Sequence, residues 1–299
     1  MDHEQQPETI AVLGAGVMGA GIVRTFVRGG HAVRVHDPRG DAAEAAAASA
    51  GPRASAHASL AEAVAGATLV VEAAPERLEL KRALLAEVEA ANEHALIASN
   101  TSSIAPAALA AGLADPSRLV IAHFFNPADT VPLVEVVPGP ATPPAAVERM
   151  RRLLEGCGKT AVPLAEQVEG FIANRLQAAL YREAMHLVAR GIATPAQVDL
   201  AVTAGLGPRW ALAGPFEVMD LGGLDVWTAV ADGIFPSLDD ASEAPAMLRD
   251  RAAAGALGAK SGGGFAPRDL EEPARFARRL AALLAARERL DADEQRPAS

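Results

Sequence analysis

The stretch IAVLGAGVMGAGIVRTFVRGGHAVRVHD, residues 10–37, places Gly14, Gly16 and Gly19 between an apolar run and a helix-like segment. A second apolar run follows and ends in Asp37, eighteen residues after Gly19. The spacing GxGxxG alone is a weak signal, but in this strand–turn–helix–strand context it is the dinucleotide-binding fingerprint. We therefore predict that residues 10–37 form a β–α–β unit that binds a dinucleotide.

Each glycine of this turn has its own predicted role. Gly14 permits the tight turn, Gly16 lets the backbone approach the pyrophosphate, and Gly19 allows the helix to pack closely on the strand. The N-terminus of the helix then presents free N–H groups to the phosphates. Met18, inside the same turn, is assigned to the cofactor site as well.

Asp37, at the end of the second strand, bears on the choice of dinucleotide. Its carboxylate would accept hydrogen bonds from the adenosine ribose and repel a 2′-phosphate, so it favours NAD over NADP. Arg39 lies two residues further along and leaves NADP open. FAD uses a similar fingerprint and also stays open on this segment alone. We predict NAD as the cofactor.

Short apolar runs alternate with helix-like segments through the first half of the chain. The runs are near-continuous in apolar character, as strands buried on both faces must be. One intervening helical pattern is ERLELKRALLAEVEAAN, residues 76–92. The alternation predicts an α/β fold with a Rossmann-type doubly wound, mostly parallel sheet. The predicted strands are residues 9–14, 32–37, 68–74, 95–100, 119–124, 133–137 and 160–164.

The pattern changes after about residue 167. Residues 170–191 are predicted to form one long helix, and further helical segments follow without a convincing strand. The Ala-rich stretch 41–59 is either a short helix or a flexible connection. The predicted domains are a dinucleotide-binding domain over 8–167, a C-terminal all-α domain over 168–268, and a helical or disordered tail over 269–299 that ends in a disordered DEQRPAS.

The composition excludes several classes of protein. A formal net charge of −10 in 299 residues argues against a nucleic-acid or anionic-membrane partner, because both require a basic surface. The single cysteine, Cys157, excludes an intrachain disulfide and a cysteine-rich zinc site, and we predict no metal centre. Since residues 1–10 lack a signal-peptide pattern and no run reaches eighteen apolar residues, we expect a cytoplasmic protein.

Several polar residues fall where predicted strands end. Glu72 and Glu76 follow one strand, SNTSS (residues 99–103) follows the next, and His123 lies at the end of a third. The carboxyl ends of parallel strands form the edge of the sheet at which ligands bind. These residues are therefore candidates for the functional site.

His123 has a candidate partner in Glu135. The step from Phe124 to Leu133 is only nine residues, which is too short for a parallel crossover of a dozen or more. We therefore predict that the strands containing His123 and Glu135 are antiparallel neighbours. A histidine at the end of one strand would then meet a glutamate near the start of the next.

The chemistry of alcohol oxidation gives such a pair a purpose. A base must remove the hydroxyl proton as hydride leaves the same carbon, and histidine titrates near neutrality. A carboxylate on the other ring nitrogen would fix the tautomer and stabilise the imidazolium. Considered alone, a histidine in this position is more often structural, because histidines commonly cap or pack at strand ends.

Taken together, the motifs of this chain resemble the 3-hydroxyacyl-CoA dehydrogenase family over roughly residues 8–268. The resemblance implies an NAD-binding domain and a helical domain that usually forms a homodimer. It also implies a small-molecule substrate. The matching motifs are GAGVMGAGI, VVEAAPERLELK, SNTSS, HFFNP with LVEVVPG, GFIANRL and GPFEVMDLGGLD.

The resemblance also implies roles for individual residues. The histidine–glutamate pair of the family falls on His123 and Glu135. Its substrate-contacting serine falls on Ser102, and the asparagine of GFIxNR falls on Asn174. Without the resemblance, Ser102 is a loop cap and Asn174 a first-turn helix residue.

Three further residues are assigned to the cofactor. The acid and lysine with which the family contacts its cofactor match Glu76 and Lys81. Asn100, within SNTSS, is assigned to the cofactor site as well. Without the resemblance, Lys81 is a solvated helix lysine.

One departure from the family affects the substrate. Members usually carry a long helical hairpin after the acidic residue of the second strand, and that hairpin helps to hold CoA. Here only residues 38–59 intervene, with Arg39 and Arg53 as their only basic residues. Phosphates require cationic partners, so we expect a weakened grip on CoA. Some relatives act on free hydroxy acids or alcohols, including carnitine, gulonate and a pyridine carboxylate. The stretch GLGPRWALAGPFE is similar to the RWA variants of the carnitine- and gulonate-type relatives.

The leading hypothesis is an NAD-dependent oxidation of a 3-hydroxyacyl-CoA to the 3-keto form. An alternative keeps this chemistry and changes the substrate to a free small hydroxy acid or a carrier-protein-bound acyl group. A third hypothesis, from another class, is a non-catalytic NAD-binding protein, as in lens crystallin relatives.

Overall fold

The computed structural model describes residues 6–269 and 271–294. The chain folds into two compact units, Met1–Ala173 and Asn174–Ser299. The first unit is built on one sheet, and the second is helical.

The sheet of the first unit has eight strands. Their order across the sheet is β3-β2-β1-β4-β5-β6-β7-β8, and every neighbouring pair is parallel except β6 and β7. This arrangement confirms the predicted doubly wound, mostly parallel sheet. The strands are β1 (Thr9–Leu13), β2 (Ala32–His36), β3 (Ala54–Ala56), β4 (Leu69–Glu72), β5 (Leu96–Ser99), β6 (Leu119–Phe124), β7 (Leu133–Pro138) and β8 (Thr160–Pro163).

Helices cover both faces of the sheet and account for the apolar character of its strands. In β1, Ile10 and Val12 face one core cluster while Ala11 and Leu13 face the other, because successive side chains of a strand point to opposite faces. A strand buried on both faces therefore needs apolar residues throughout. The helices of this unit are α1 (Val17–Arg28), α2 (Gly40–Ala50), α3 (Leu60–Val64), α4 (Leu78–Ala91), α5 (Pro106–Ala110) and α6 (Pro144–Gly156), with a 3₁₀ turn at Pro116–Arg118.

The Ala-rich stretch after β2 contains one element that was predicted and one that was not. Helix α2 is the short helix that the sequence left open, and it packs Ala43, Ala46 and Ala47 into the core. Strand β3 was not predicted. Its sequence, ASA, is three residues long and lacks the β-branched and aromatic residues typical of strands.

The second unit consists of helices. Its described residues include no strand, only isolated bridges that join Gly263 to Gly258 and to Pro267. None of the described helices is both long and apolar enough to cross a membrane. The helices from α7 onward are α7 (Ala173–Ala189), α8 (Pro195–Ala201), α9 (Gly207–Trp210), α10 (Pro215–Gly222), α11 (Leu224–Ile234), α12 (Ala246–Ala253) and α13 (Glu272–Glu294), with a π-helical segment at Val202–Leu206 and a 3₁₀ turn at Phe235–Ser237.

Two predicted helix ends are wrong. Helix α7 begins at Ala173 rather than directly after Gly170, because Gly170 and Phe171 have left-handed backbones, with φ of 76° and 52°. The tail DEQRPAS was predicted to be disordered from residue 293, but α13 continues to Glu294. Residues 295–299 lie outside the described part of the chain.

Candidate active site

Strands β6 and β7 bring His123 and Glu135 together. The two strands are antiparallel, as predicted, and their register places His123 directly opposite Glu135. The imidazole Nδ1 lies 2.9 Å from Glu135 Oε2. Both residues are buried, with 5% and 1% of their surface exposed. The short connection seen in the sequence therefore produces a close, dehydrated pair.

The second carboxylate oxygen of Glu135 is held by backbone amides. Ile172 N–H and Ala173 N–H donate to Oε1 over 2.9 Å and 2.8 Å. Burial alone would raise the pKa of Glu135, but the hydrogen bonds from His123 and Ala173 outweigh it and lower the pKa. Glu135 is therefore an anion fixed at both oxygens.

The contact with Glu135 determines which ring nitrogen of His123 carries the hydrogen. Because Glu135 is an acceptor, Nδ1 carries the hydrogen in the neutral imidazole, and Nε2 is the nitrogen left to take up a proton. Two rings flank the imidazole, Phe125 at 4.5 Å and Phe171 at 5.4 Å between centroids. A histidine held in one tautomer in this way is suited to act as a general base.

The glycine-rich turn joins β1 to α1 in a form that only glycine allows. Gly14 has φ of 99°, and a Cβ there would lie 2.7 Å from Ala73 O. A Cβ on Gly19 would lie 1.8 Å from Gly14 O, so the strand and helix approach closely at this point. At Gly16 a Cβ would meet nothing within 4 Å. The turn therefore leaves open space at Gly16, beside the N-terminus of α1.

That open space belongs to a cavity of about 580 Å³ at the carboxyl ends of the strands. Its lining includes Gly14, Gly16, Met18, Asp37, Ala74 and Leu84. Burial would raise the pKa of Asp37, but hydrogen bonds from the amides of Ala15 and Arg39 outweigh it and lower the pKa. The cavity combines bare backbone with one carboxylate, which fits a dinucleotide.

Glu76 organises the SNTSS loop. Its Oε1 accepts hydrogen bonds from the hydroxyls of Thr101 (2.5 Å) and Ser103 (2.9 Å) and from the amides of Ser102 and Ser103, both at 3.0 Å. Burial would raise the pKa of Glu76, but these bonds and the charge of Lys81 lower it to about 2. Ser102 Oγ lies 3.5 Å from Oε1, at the limit of a hydrogen bond. Of the three hydroxyl groups, that of Ser102 has the weakest contact with Glu76, and Ser102 is exposed.

Lys81 is enclosed by the acids near it. Only 1% of its surface is exposed, and Nζ contacts Glu72 Oε1 at 2.7 Å, Ala74 O at 3.0 Å and Glu76 Oε2 at 3.4 Å. Glu72 also accepts a bond from Ser99 Oγ. The network through Ser99 and Thr101 was not predicted. A buried glutamate that ends an apolar strand, with a lysine nine residues later, is the signal that indicates it.

Two other predicted site residues have separate surroundings. Asn100 Oδ1 accepts a hydrogen bond from Phe124 N–H at 2.9 Å, so it ties the end of β5 to the residue after His123. Asn174 lies in the first turn of α7, at the start of the second unit. The roles given to Asn100 and Asn174 stay predictions.

The segment that follows β2 contains no helical hairpin. It is filled by the eleven residues of α2 and by β3. Its two arginines are engaged within the chain. Arg39 Nε lies 3.4 Å from Asp37 Oδ1, and Arg53 Nη1 donates to Gly30 O at 2.8 Å.

Comparison with known proteins covers almost the whole chain. The family model described as 3-hydroxyacyl-CoA dehydrogenase, NAD binding domain, matches residues 9–55 and 46–167. The model described as 3-hydroxyacyl-CoA dehydrogenase, C-terminal domain, matches residues 170–267. An L-carnitine dehydrogenase of Nocardiopsis dassonvillei is 42% identical over 272 residues, which is 83% of each chain.

Solved structures give the same result. The crystal structure of 5-formyl-3-hydroxy-2-methylpyridine-4-carboxylic acid 5-dehydrogenase, an NAD+-dependent dismutase, has a TM-score of 0.90 and 30% identity, covering 95% of this chain and 99% of that one. A 3-hydroxyacyl-CoA dehydrogenase from Archaeoglobus fulgidus has a TM-score of 0.71 and 30% identity, covering 93% and 98%.

These matches decide between the cofactors and classes that the sequence left open. NAD is the cofactor, and FAD and the non-catalytic alternative are set aside. The matches span both units. The chain therefore belongs to the 3-hydroxyacyl-CoA dehydrogenase family and is an NAD-dependent dehydrogenase that acts on a CH–OH group.

Proposed function

We propose that this dehydrogenase oxidises the hydroxyl group of a small free hydroxy acid rather than that of a CoA thioester. The proposal is supported mainly by the structure of the segment after β2. The family's CoA-holding hairpin is replaced by α2 and β3, and Arg39 and Arg53 both have partners within the chain. These two exposed arginines are the only ones that the segment offers to the phosphates of CoA, and each already has a contact within the chain.

The comparisons support the same choice. At equal identity, 30%, the chain has a TM-score of 0.90 to a dehydrogenase of a free pyridine carboxylic acid and 0.71 to a 3-hydroxyacyl-CoA dehydrogenase. An L-carnitine dehydrogenase is 42% identical over 83% of both chains. L-carnitine, a 3-hydroxy acid with a free carboxylate, is therefore the first substrate to try.

The proposed reaction begins with proton removal by His123. Bound NAD supplies the acceptor for the hydride that leaves the carbinol carbon. His123 Nε2 takes the hydroxyl proton, and the C–O bond becomes a carbonyl. Glu135 stabilises the imidazolium through the 2.9 Å contact with Nδ1 and stays ionised, because its own pKa is lowered.

Ser102 and Asn174 are proposed to bind the oxygen at the reacting carbon. For Ser102 the support is local. Thr101 and Ser103 direct their hydroxyls to Glu76, while Ser102 Oγ is exposed and only marginally bonded. For Asn174 the support is the GFIANR motif alone. Both would stabilise the negative charge that develops on the oxygen.

Oxidation of a 3-hydroxyacyl-CoA is the second candidate. It is favoured by the family models, which match residues 9–167 and 170–267 and are both described as 3-hydroxyacyl-CoA dehydrogenase. An acyl group on a carrier protein would use the same catalytic residues.

The two candidates are separated by kcat/KM for three substrates measured with NAD. We expect turnover of L-carnitine or free 3-hydroxybutyrate to exceed that of 3-hydroxybutyryl-CoA. An enzyme that uses the binding energy of CoA would instead lose most of its kcat/KM when CoA is removed. A clear preference for the thioester would overturn the proposal.

A homodimer formed through the helical unit is also proposed. None of the described residues from Asn174 onward is buried in the single chain. Large apolar side chains are instead open to solvent, among them Phe216 (79% exposed), Leu221 (80%), Leu224 (60%) and Phe235 (70%). Apolar surface of this extent is typical of an interface with a second copy. The cytoplasmic location stays a prediction.

A further inference from the structure

We propose that Phe171 is a positioning residue of the catalytic base, because its left-handed backbone directs two amide groups onto Glu135. The amides belong to Ile172 and Ala173, the two residues that follow it. Through Glu135 they fix His123. The kinetic part of the proposal rests on the proposed function, whereas its structural part does not.

The backbone of Phe171 is unusual. Its φ is 52°, and among the described residues it is the one non-glycine residue with a positive φ. A side chain with a Cβ disfavours this conformation, which persists only where the surroundings over-determine it. Here Gly170 precedes it with φ of 76°, and Phe171 N–H donates to Val168 O at 3.0 Å.

The result of this turn is a pair of converging donors. Ile172 N–H and Ala173 N–H reach the same oxygen, Glu135 Oε1, over 2.9 Å and 2.8 Å. Only 1% of Glu135 is exposed, so water does not take their place. With Oε1 satisfied, Oε2 is left for His123 Nδ1. Backbone donors cannot swing away as a side chain can, so the carboxylate keeps one orientation.

The side chain of Phe171 links this turn to the base a second time. The ring is 3% exposed and packs in the core cluster that includes Leu13 and Leu164. Its centroid lies 5.4 Å from that of the His123 imidazole, at an interplanar angle of 57°. Burial of the ring offsets part of the cost of the left-handed backbone. Phe171 therefore restrains both His123 and Glu135.

Replacement of Ala173 by proline tests the amide contact. Proline suits the first position of a helix, which Ala173 occupies in α7, but it removes the N–H and puts a ring carbon against Glu135 Oε1. Ala173→Ser keeps the N–H and is the matched control. The first readout is ¹⁵N NMR of imidazole-labelled protein without substrate, which reports the tautomer of His123.

We expect wild type and Ala173→Ser to hold the Nδ1–H tautomer and Ala173→Pro to show a mixture of tautomers. With an active substrate, kcat of Ala173→Pro should fall about 10–100-fold, while the Kd for NAD stays within about twofold. In a Glu135→Gln background the proline should cause little further loss, since it acts through Glu135. An unchanged tautomer, or a loss that adds fully to that of Glu135→Gln, overturns the proposal.

A reciprocal measurement decides the case if Ala173→Pro does not fold. In Glu135→Ala, which removes the acceptor and leaves both backbone N–H groups in place, the amide protons of Ile172 and Ala173 should exchange with solvent about tenfold faster than in wild type. Unchanged exchange at both amides would overturn the inference. The NMR and exchange readouts need no substrate, so inactivity toward every hydroxy acid would count against the proposed function and not against the role of Phe171.

Discussion

His123 and Glu135 face each other because their strands are antiparallel neighbours in a sheet that is otherwise parallel. The local reversal puts the end of β6 beside the start of β7, at the edge where the cavity lined by Gly14, Gly16 and Asp37 also opens. At this scale the chemistry depends on single atoms. Nδ1 contacts Glu135, and in the proposed reaction Nε2 takes the substrate proton.

Glu76 should make the fold sensitive to acid. Its pKa is about 2 in the folded chain against an ordinary value of 4.5. A carboxylate with a depressed folded pKa stabilises the fold above its unfolded pKa, and that stability is lost as the pH falls from about 4.5 towards 2. The urea midpoint of wild type should therefore drop more between pH 6 and pH 3 than that of Glu76→Gln.

The matched control is Glu87→Gln, an exposed glutamate on α4. Its midpoint should follow the pH dependence of wild type. Because the Glu76 side chain is 36% exposed, solvent screening reduces the effect. If the urea midpoints of wild type and Glu76→Gln fall in parallel with pH, the hydrogen bonds from the SNTSS loop do not stabilise the charged form of Glu76.

At the scale of elements, the sequence predicts what depends on local patterns. Seven strands could be read as continuous apolar runs, and the glycine spacing located the β1–α1 turn. Strand β3 could not be predicted, because its three small residues lack the apolar pattern of a strand. The hydrogen bonds from the Ile172 and Ala173 amides to Glu135 could not be predicted either, because they join residues more than thirty positions apart and follow the unusual φ of Phe171.

Two glycines of the β1–α1 turn should respond in opposite ways to alanine. Gly16 has φ of −67°, and a Cβ there meets nothing within 4 Å, so Gly16→Ala should keep the melting temperature. The methyl group would occupy space that the cofactor needs, and the Kd for NAD should rise about tenfold. Calorimetry and NAD titration check both values.

Gly19→Ala is the matched partner of this test. Its Cβ would lie 1.8 Å from Gly14 O, so the turn must shift and the protein should be destabilised by about 1–3 kcal/mol. Equal effects of the two substitutions on stability would contradict the division of roles within the turn.

At the scale of the whole molecule, the two units differ in how they are stabilised. The first has two core clusters that sandwich the sheet. The helical unit has no buried residue among those described, although its exposed side chains include many large apolar ones. In the proposed homodimer a second copy would cover these side chains, and apolar burial is the main source of stability.

The dimer can be tested by light scattering coupled to size exclusion. The expected mass of wild type is twice 30.7 kDa. Leu221→Glu, which places a charge on an 80% exposed leucine, should shift the mass toward the monomer and lower the melting temperature. Ala86→Glu adds the same charge on an exposed position of α4 and should leave the dimer intact. A monomeric wild type at micromolar concentration would contradict the proposal.

The role of His123 as the proton acceptor is tested by NADH formation from NAD and L-carnitine with wild type and His123→Ala. The account predicts steady turnover by wild type, and a loss of about 10²–10⁴-fold in kcat for His123→Ala with an unchanged Kd for NAD. Glu135→Gln should lose less, because part of the geometry survives. Near-normal turnover by His123→Ala would contradict the account, since no proton acceptor at His123 would then be required.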